Sequence, residues 1–296
     1  MPLGENCRFG LASQTVHPLP KQTSRVLGAG LAWRALEVVC RSGPEDPRFE
    51  ECHDWMSIAI VLDGTFTYRS QHGRVFLAPG SLMLGNLGAC FECGHDHGAG
   101  DRCAAFQFEP VLMEEIATTM MDVTRFTFPV HRIPPVDELM PLVARARRLA
   151  MTQDSMAAEE LALQIAGTAL KLANDTTYVT VAARDERRMA SAVRLIEKRF
   201  AEPLSLAMLA RDAGLSRYRF LRAFSHVVGT TPYKFLLNRR LSAVAERLLG
   251  QHTRVADIAL ACGFNDLSEF TRRFRAKFGC TPSAFRACHG AHQRMV

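Results

Sequence analysis

The sequence has no long hydrophobic run. None of its stretches approaches the roughly 20 consecutive apolar residues that a membrane-spanning helix needs. Residues 1–10 also lack the basic start and apolar centre of a secretory signal peptide. We therefore expect a cytoplasmic protein with no membrane partner.

The sequence also lacks the closely spaced, even set of cysteines that marks a small disulfide-bonded scaffold. Its nine cysteines stand at positions 7, 40, 52, 90, 93, 103, 262, 280 and 288. An odd number spread over 296 residues excludes that class of protein. In a reducing compartment, we expect most of these side chains to be small buried apolar groups.

Acidic residues are scarce in the last third of the chain. Residues 184–296 contain 21 Lys and Arg against 9 Asp and Glu, a net charge of +12, within an overall charge of +6. Residues 1–183 carry the compensating excess of acidic side chains. A basic region alone could be an ordinary solvated surface, but the basic part of this chain can attract phosphates and the acidic part cannot.

The basic part of the chain contains one pattern twice. The first copy spans residues 206–232 and the second spans residues 255–282. The offset between matching positions is 49 up to a turn glycine and 50 after it, so one residue has been inserted beyond the turn. The matching pairs are Leu206 and Val255, Leu209 and Ile258, Gly214 and Gly263, Phe220 and Phe270, Arg222 and Arg272, Phe224 and Phe274, Gly229 and Gly279, and Pro232 and Pro282.

Each copy has the pattern of a helix-turn-helix unit. Apolar residues at helical spacing lead to a glycine that permits a sharp turn. A second helix then begins behind a capping side chain, which is Ser216 in the first copy and Asn265 or Asp266 in the second. Such a second helix is built to lie in the major groove of DNA, so residues 217–228 and 267–278 are predicted recognition helices.

A single predicted helix joins the two copies. It begins at Pro232, where a missing amide hydrogen costs nothing, and continues to Gly250. About eighteen residues give a rod of roughly 27 Å. Successive major grooves on one face of DNA lie roughly 34 Å apart, so one rigid helix could place two recognition helices in adjacent grooves.

Several segments resemble the DNA-binding domain of the AraC family of bacterial transcription regulators. These segments are GLSRYRFLRAF, GTTP, RRLSAVAERLL, VADIALACGFNDLSEFTRRFRAKFG and CTPSAFR, and they lie within roughly a hundred of the 296 residues. The resemblance implies a sequence-specific, effector-responsive transcription activator and not an enzyme. Its implied partners are double-stranded promoter DNA, RNA polymerase, an unknown small-molecule or metal effector, and a second copy of the chain.

The resemblance also assigns DNA-reading positions. Arg222 is the strongest candidate because a guanidinium can fork onto guanine, whereas Glu269 could accept from cytosine but would repel phosphates. For Arg222 and Arg272 the alternative is a structural salt bridge. The implied DNA-binding residues are Tyr218, Leu221 and Arg222, with Arg217 and Arg219 on phosphates, and Leu267, Ser268, Glu269 and Arg272 on the second helix.

The amino-terminal half is predicted to be rich in strands. Short runs of branched and aromatic residues, separated by Gly, Pro and Asp, are typical of an antiparallel barrel or sandwich. Residues 1–30 are expected to be loosely ordered at the start. The family resemblance implies a cupin-like effector-binding barrel here. The predicted strands are residues 31–40, 55–62, 65–70, 74–78, 81–86, 89–93 and 103–108.

Three predicted helices follow the strands, at residues 111–121, 136–151 and 157–172. Their apolar residues could form a dimer contact, as the resemblance implies, or could pack against the barrel. These residues are Leu139, Leu142, Val143, Leu161, Leu163, Ile165 and Leu170. The expected fold class is α+β, with an effector and dimerisation domain at 1–174, a linker at 175–184 and an all-α DNA-binding domain at 185–296.

The segment CFECGHDHGAGDRC combines thiols and imidazoles. Cys93, His95, His97 and Cys103 could hold zinc or another transition metal, since these metals favour sulfur and imidazole ligands. The same cysteines, together with Cys90, could instead sense oxidants as a thiol pair. A polar hairpin with cysteines packed beneath it is the third interpretation.

Two further functions compete with DNA-directed regulation. A cupin enzyme could use His53, His95 and His97 on iron, and this would be supported by purified protein that carries iron and consumes oxygen with a substrate. A repair-type sensor would acquire an adduct at Cys90, Cys93 or Cys103 after alkylating treatment, which mass spectrometry would detect.

The charge distribution generates the first testable prediction. If the basic domain neutralises about six to ten phosphates, the logarithm of the DNA affinity should fall with the logarithm of salt concentration with a slope of about −0.9 per contact. Titrations of duplex DNA at several salt concentrations measure this slope. A flat dependence would contradict nucleic-acid binding through phosphates.

Overall fold

The fold of the chain is seen in a computed structural model that describes residues 21–46, 48–96, 98, 100–152, 154–176, 182–250 and 253–290. A strand-rich amino-terminal part is followed by helices, and this confirms the predicted α+β class. In these described ranges, no helix is both long and apolar enough to cross a membrane.

Within the described ranges, ten strands form two antiparallel sheets. Their hydrogen-bonded order is β1-β2-β9-β4-β7-β10 in the first sheet and β3-β8-β5-β6 in the second. The strands are β1 Gln22–Ala29, β2 Trp33–Cys40, β3 Phe49–Cys52, β4 Met56–Gly64, β5 Phe66–Ser70, β6 Gly73–Leu77, β7 Leu82–Gly85, β8 Cys90–Gly94, β9 Asp101–Phe108 and β10 Arg132–Ile133.

The two sheets are not closed into one barrel, in contrast to the cupin-like barrel that the family resemblance implied. The chain passes from one sheet to the other at Gly64, between β4 and β5. Gly64 has a φ of +80°, and a Cβ there would lie 2.4 Å from the carbonyl oxygen of Gly100. Only glycine fits this conformation and this close approach, so the crossing between sheets is fixed locally.

Three of the strands are not among those predicted from the sequence. β1 lies in a region expected to be loosely ordered, although residues 1–20 fall outside the described ranges. β3 has the sequence FEEC, and its two acidic residues hide the strand pattern. β10 has only two residues and is held by its pairing with β7.

Three helices cover the first sheet: α1 Pro110–Met121, α2 Met140–Thr152 and α3 Ser155–Asp175. Six of the seven apolar residues considered for a dimer contact are buried in the core that these helices form with the sheet. Leu163 is the exception in that set, with 44% of its surface exposed. The alternative of packing against the strands therefore accounts for most of them.

The described residues of the carboxyl-terminal part form seven helices. They are α4 Ala183–Arg199, α5 Leu206–Asp212, α6 Arg217–Val228, α7 Pro232–Gly250, α8 Val255–Ala261, α9 Leu267–Phe278 and α10 Pro282–Gly290. The two predicted recognition helices, α6 and α9, have the predicted bounds. The domain boundary stays a prediction, because residues 177–181 of the expected linker lie outside the described ranges.

The strand-rich domain packs directly on the helical domain. Phe76 and Ala78, at the end of β6, are buried in one cluster with residues of α4, α5 and α6. Met140 and Ala144 of α2 are buried in another cluster with residues of α7, α8 and α9. Both helix-turn-helix units are therefore in apolar contact with the amino-terminal domain.

A buried histidine gives this domain a pH-dependent stability. The His53 ring stacks on Phe91 with centroids 4.3 Å apart, and its Nε2 lies 3.0 Å from the Tyr68 hydroxyl. Burial lowers the pKa of His53 from 6.5 to about 4. The folded protein thus disfavours the protonated ring, so stability is complete above pH 6.5 and is lost as the pH falls toward 4.

We expect His53 to contribute up to about 3 kcal/mol of this acid-induced loss of stability. Urea unfolding between pH 7 and pH 4 measures it. His53→Gln should flatten the dependence without abolishing it, because burial also lowers the pKa of His131 to about 4. His72→Gln, at an exposed histidine, is the control. An unchanged pH profile in His53→Gln would contradict the assignment.

Candidate nucleic-acid interface and interior cavity

The first helix-turn-helix unit is formed by α5 and α6, and both helices are capped as the sequence indicates. Ser205 Oγ accepts from the amide of Met208 at 3.2 Å, and Ser216 Oγ accepts from the amide of Arg219 at 3.4 Å. Gly214, at the turn, has a φ of +63°. Phe220 and Phe224, four residues apart, are fully buried. They anchor one face of α6 and turn the other outward.

The second unit, formed by α8 and α9, repeats this geometry with a different cap. Asp266 accepts from the amides of Ser268 and Glu269 at 2.8 and 2.9 Å, so the cap is Asp266 and not Asn265. Gly263 has a φ of +87° at the turn. Phe270 and Phe274 are buried like their counterparts in α6. The duplication seen in the sequence is thus a duplication of structure.

The outward face of α6 carries positive charge without carboxylate partners. Arg217, Tyr218, Arg219 and Arg222 are exposed, while Leu221 is half-buried. In the described part of the chain, none of these three arginines forms an ion pair. The Arg222 guanidinium lies 5.9 Å from the centre of the Tyr218 ring. The alternative of a structural salt bridge therefore has no support for Arg222.

The positive charge on the matching face of α9 is partly neutralised by a carboxylate of the same helix. Arg272 forms an ion pair with Glu269 at 2.7 Å, and Arg273 forms another at 2.5 Å. Hydrogen bonds from Arg272 and Arg273 hold the pKa of Glu269 below its usual value. Leu267 and Ser268 remain exposed beside this cluster. For Arg272, the structural salt bridge considered from the sequence is present.

The helix between the units, α7, is held along its length. Its 19 residues correspond to about 28 Å. Arg239 Nε lies 2.7 Å from Glu197 of α4, and Arg240 donates to the carbonyl oxygens of Phe200 and Glu202 at 2.7 and 2.8 Å. Because one helix fixes both units, α6 and α9 are held in a defined relative position.

A cavity of about 220 Å³ lies between the two sheets. Cys93, His95 and Cys103, three of the predicted metal ligands, line it. The fourth, His97, lies outside the described residues. The cavity is also lined by Cys40, Asp101 and His53. The amino-terminal domain therefore encloses a ligand-sized space with polar walls.

Within this cavity, the close group of potential ligands differs from the predicted set. Cys40, His95 and Asp101 present ligand atoms that all lie within 4.8 Å of one another. Asp101 Oδ1 accepts from His95 Nε2 at 2.5 Å, and Cys40 Sγ lies 3.9 Å from His95 Nδ1. Cys40 and Asp101 are not among the metal ligands predicted from the sequence. Their direct pairing across β2 and β9 could have been found only once that register was known.

The charges of this group are coupled. Burial disfavours the ionised Cys40, but hydrogen bonds from His95 and Ser42 outweigh it and lower the pKa of the thiol. Burial also opposes the charged His95, yet its bonds to Asp101 and Cys40 raise its pKa to about 9. In contrast, burial raises the pKa of Cys93 and of Cys103 well above the usual value. Cys40 is therefore the cavity thiol most easily ionised.

Cys90 and His53, the other residues considered as metal ligands or redox thiols, make contacts outside this group. Cys90 and Cys52 face each other across β8 and β3 and form a disulfide. This differs from the expectation of reduced, separately buried cysteines, because the missed strand β3 brings Cys52 opposite Cys90. His53 lines the cavity but contacts Tyr68, and it does not belong to the close ligand group. The histidine set of the iron-enzyme hypothesis is thus not assembled among the described residues.

Comparisons with known proteins match both domains. A family model described as an AraC-like ligand binding domain matches residues 36–166, and one described as a helix-turn-helix domain matches residues 209–287. The thermoregulatory protein LcrF of Yersinia pestis is 26% identical over 212 residues, which cover 70% of this chain and 69% of LcrF. The regulator ExsA of Pseudomonas aeruginosa is 33% identical, over 31% of this chain and 33% of ExsA.

A solved AraC-type transcriptional regulator structure from Chromobacterium violaceum shares 34% identity with this chain. The alignment covers 36% of this chain and 95% of that one, with a TM-score of 0.34. The paired helix-turn-helix units behind a ligand-binding domain define a two-domain transcription regulator. The chain belongs to the AraC family, which is a family of DNA-binding regulators and not of enzymes.

The asymmetry between α6 and α9 generates a prediction about base choice. Arg222→Ala should cost about 1 to 3 kcal/mol of binding free energy and relax the preference at a guanine position. Arg272→Ala should cost less, because Glu269 already neutralises Arg272. Titrations of a bound site and of its single-base-pair variants measure both effects.

Arg219→Ala is the matched control on α6. It should weaken all duplexes alike and reduce the salt slope by about one contact. If Arg222→Ala also weakened every sequence equally, Arg222 would be a phosphate contact and not a base-reading residue.

Proposed function

We propose that the protein is an effector-responsive transcription activator that reads two successive major grooves of promoter DNA with α6 and α9. The observation that carries this proposal is the exposed, unpaired basic face of α6, repeated in shape by α9 and fixed to it by α7. The family membership supports the same function. RNA polymerase is the proposed partner at the promoter, and the proposed location is the cytoplasm.

The proposed contacts divide between the two helices. On α6, Arg217 and Arg219 bind phosphates, and Tyr218, Leu221 and Arg222 contact base edges. On α9, Leu267, Ser268, Glu269 and Arg272 face the DNA. Since Glu269 and Arg272 neutralise each other, α9 supplies anchoring more than discrimination. Sequence choice is then set mainly by α6.

The effector domain contacts α7 and α9 through one carboxylate. Asp137, in the 3₁₀ turn Asp137–Leu139 before α2, pairs with Lys234 of α7 at 3.1 Å and with Lys277 of α9. Arg132 donates to the carbonyl oxygen of Val228, the last residue of α6, at 2.5 Å. An effector in the cavity acts if it binds better to one arrangement of these contacts than to another.

The proposed oligomer is a homodimer that reads two half-sites. Leu163 on α3 is exposed and apolar, and it is the one member of the predicted dimer set that is available for such a contact. We propose no catalytic activity for either domain.

Selection from random duplex DNA tests the DNA-reading proposal on the full chain. Enriched sequences should contain two conserved blocks about one helical turn, 10 to 10.5 base pairs, apart for one protomer. Enrichment of a single block, or no enrichment at low salt, would contradict the reading of successive grooves.

The Asp137 contacts give a second test. Asp137→Asn removes both ion pairs and frees Lys234 and Lys277 for phosphates. Each such pair is partly exposed and is worth at most about 1 kcal/mol, so the loss of both should raise the DNA affinity without effector by at most about 30-fold. Gel-shift titration of the full chain measures this change.

Glu138→Gln is the matched control. Glu138 is the exposed neighbour of Asp137 in the same turn, and its replacement removes the same charge without breaking those two ion pairs. An equal gain in both variants would show general electrostatics and would exclude Asp137 as a restraint.

A further inference from the structure

The effector cavity contains a group of buried donors drawn from three places in the chain. Cys40 ends β2, His95 follows β8, and Asp101 begins β9. Cys40 and His95 are 6% and 5% exposed. Cys40 and Asp101 are direct neighbours in the β2–β9 register. The backbone therefore holds two of the donors opposite each other, and the third closes the group from the neighbouring sheet.

The spacing of these donors fits one metal ion. Zinc binds sulfur at about 2.3 Å and imidazole nitrogen or carboxylate oxygen at about 2.0 to 2.2 Å. Tetrahedral ligands of one ion are consequently about 3.3 to 3.8 Å apart. The ligand atoms of Cys40, His95 and Asp101 lie within 4.8 Å of one another, so shifts of about an ångström or less would bring all three to an ion.

The chemistry of the group favours a transition metal over simple packing. Thiolate and imidazole select zinc and similar ions over calcium or magnesium, which prefer oxygen. A buried cysteine that only filled space would not need a histidine and an aspartate beside it. Cys103 adds a second contact to the carboxylate, with Sγ 3.1 Å from Asp101 Oδ2. All four side chains line the cavity.

We propose that Cys40, His95 and Asp101 bind a zinc-class transition-metal ion whose remaining coordination position faces the cavity. Three protein ligands with one open position are the arrangement that lets a metal take a further small ligand. The effector of this regulator is then the ion itself or a small molecule that ligates it. The regulatory part of this inference rests on the proposed DNA-binding function, whereas the binding of the ion does not.

A chain of contacts leads from this group to the DNA-binding domain. Asp96 directly follows His95, and its carboxylate lies 3.3 Å from Arg74 Nη2. The same nitrogen of Arg74 lies 2.5 Å from Glu186. Glu186 belongs to α4 of the helical domain, and its side chain is fully buried. A shift of His95 toward an ion is therefore transmitted to Asp96, to Arg74 and to the first helix of the DNA-binding domain.

Titration of the reduced, metal-stripped full chain with zinc alone tests the binding. About one ion per chain should bind, and cobalt in its place should show the absorption of a thiolate complex. Cys40→Ser and His95→Gln should each weaken zinc binding about 100-fold or more, and Asp101→Asn about 10- to 100-fold. Cys262→Ser is the control, since Cys262 is a buried cysteine in the DNA-binding domain, and it should bind zinc like the wild type.

The wild-type protein supplies a measurement that does not depend on how the variants fold. Zinc should protect Cys40 from alkylation by iodoacetamide, as mapped by mass spectrometry, while the modification of Cys280 stays unchanged. The metal site would be overturned if Cys40 were alkylated equally with and without zinc. It would also be overturned if zinc still bound to both Cys40→Ser and His95→Gln. If the protein bound no zinc and peroxide oxidised Cys40, the metal site would be excluded and Cys40 would act as a redox sensor.

Asp96→Asn separates the two parts of the inference. This variant keeps the three ligands, so it should bind zinc like the wild type, but it weakens the contacts of residue 96 to Arg74 and to Arg48. DNA affinity should change with zinc in the wild type and should lose at least half of that response in Asp96→Asn. A full response in Asp96→Asn would refute the path through Arg74. Zinc binding by a chain that binds no DNA under any condition would refute the proposed function and leave the metal site intact.

Discussion

Burial of α7 is the constraint on which the DNA-reading geometry depends. Ten of its 19 residues are buried, among them the polar Asn238 and Ser242. Since a packed helix can neither bend nor shorten without opening cavities, the two helix-turn-helix units cannot approach or separate independently. The spacing of α6 and α9 is thereby a property of the core of the domain. The DNA sequence that is bound can therefore depend only on the side chains of their outer faces.

Those outer faces have diverged although the inner faces have not. Phe220 and Phe224 of α6 and Phe270 and Phe274 of α9 occupy equivalent buried positions. In contrast, the arginines of α6 lack acidic partners among the described residues, while Glu269 binds two arginines of α9. Duplication has thus preserved the scaffold and changed the surface. On the proposed function, α6 is the helix that discriminates between DNA sequences and α9 is the helix that anchors the protein.

Much of the architecture could be predicted from sequence because it depends on local periodicity. The caps and glycine turns fix α6 and α9, and alternation fixes most strands. The missed features depend on pairing across the sheets, which no local pattern encodes. β3 became a strand only through β8, and with it came the Cys52–Cys90 bond. Likewise, Cys40 joins His95 and Asp101 although more than fifty residues separate it from them.

Asp137 has a consequence that extends beyond its two contacts. Its carboxylate binds a lysine from the connecting helix and a lysine from the second recognition helix. On the proposed mechanism, one side chain therefore restrains both the helix that sets the spacing of the two units and the helix that enters the second groove. Loss of the Asp137 carboxylate breaks its ion pairs with Lys234 and Lys277 at the same time. A signal that displaces Asp137 therefore acts on the connecting helix and on the second recognition helix together.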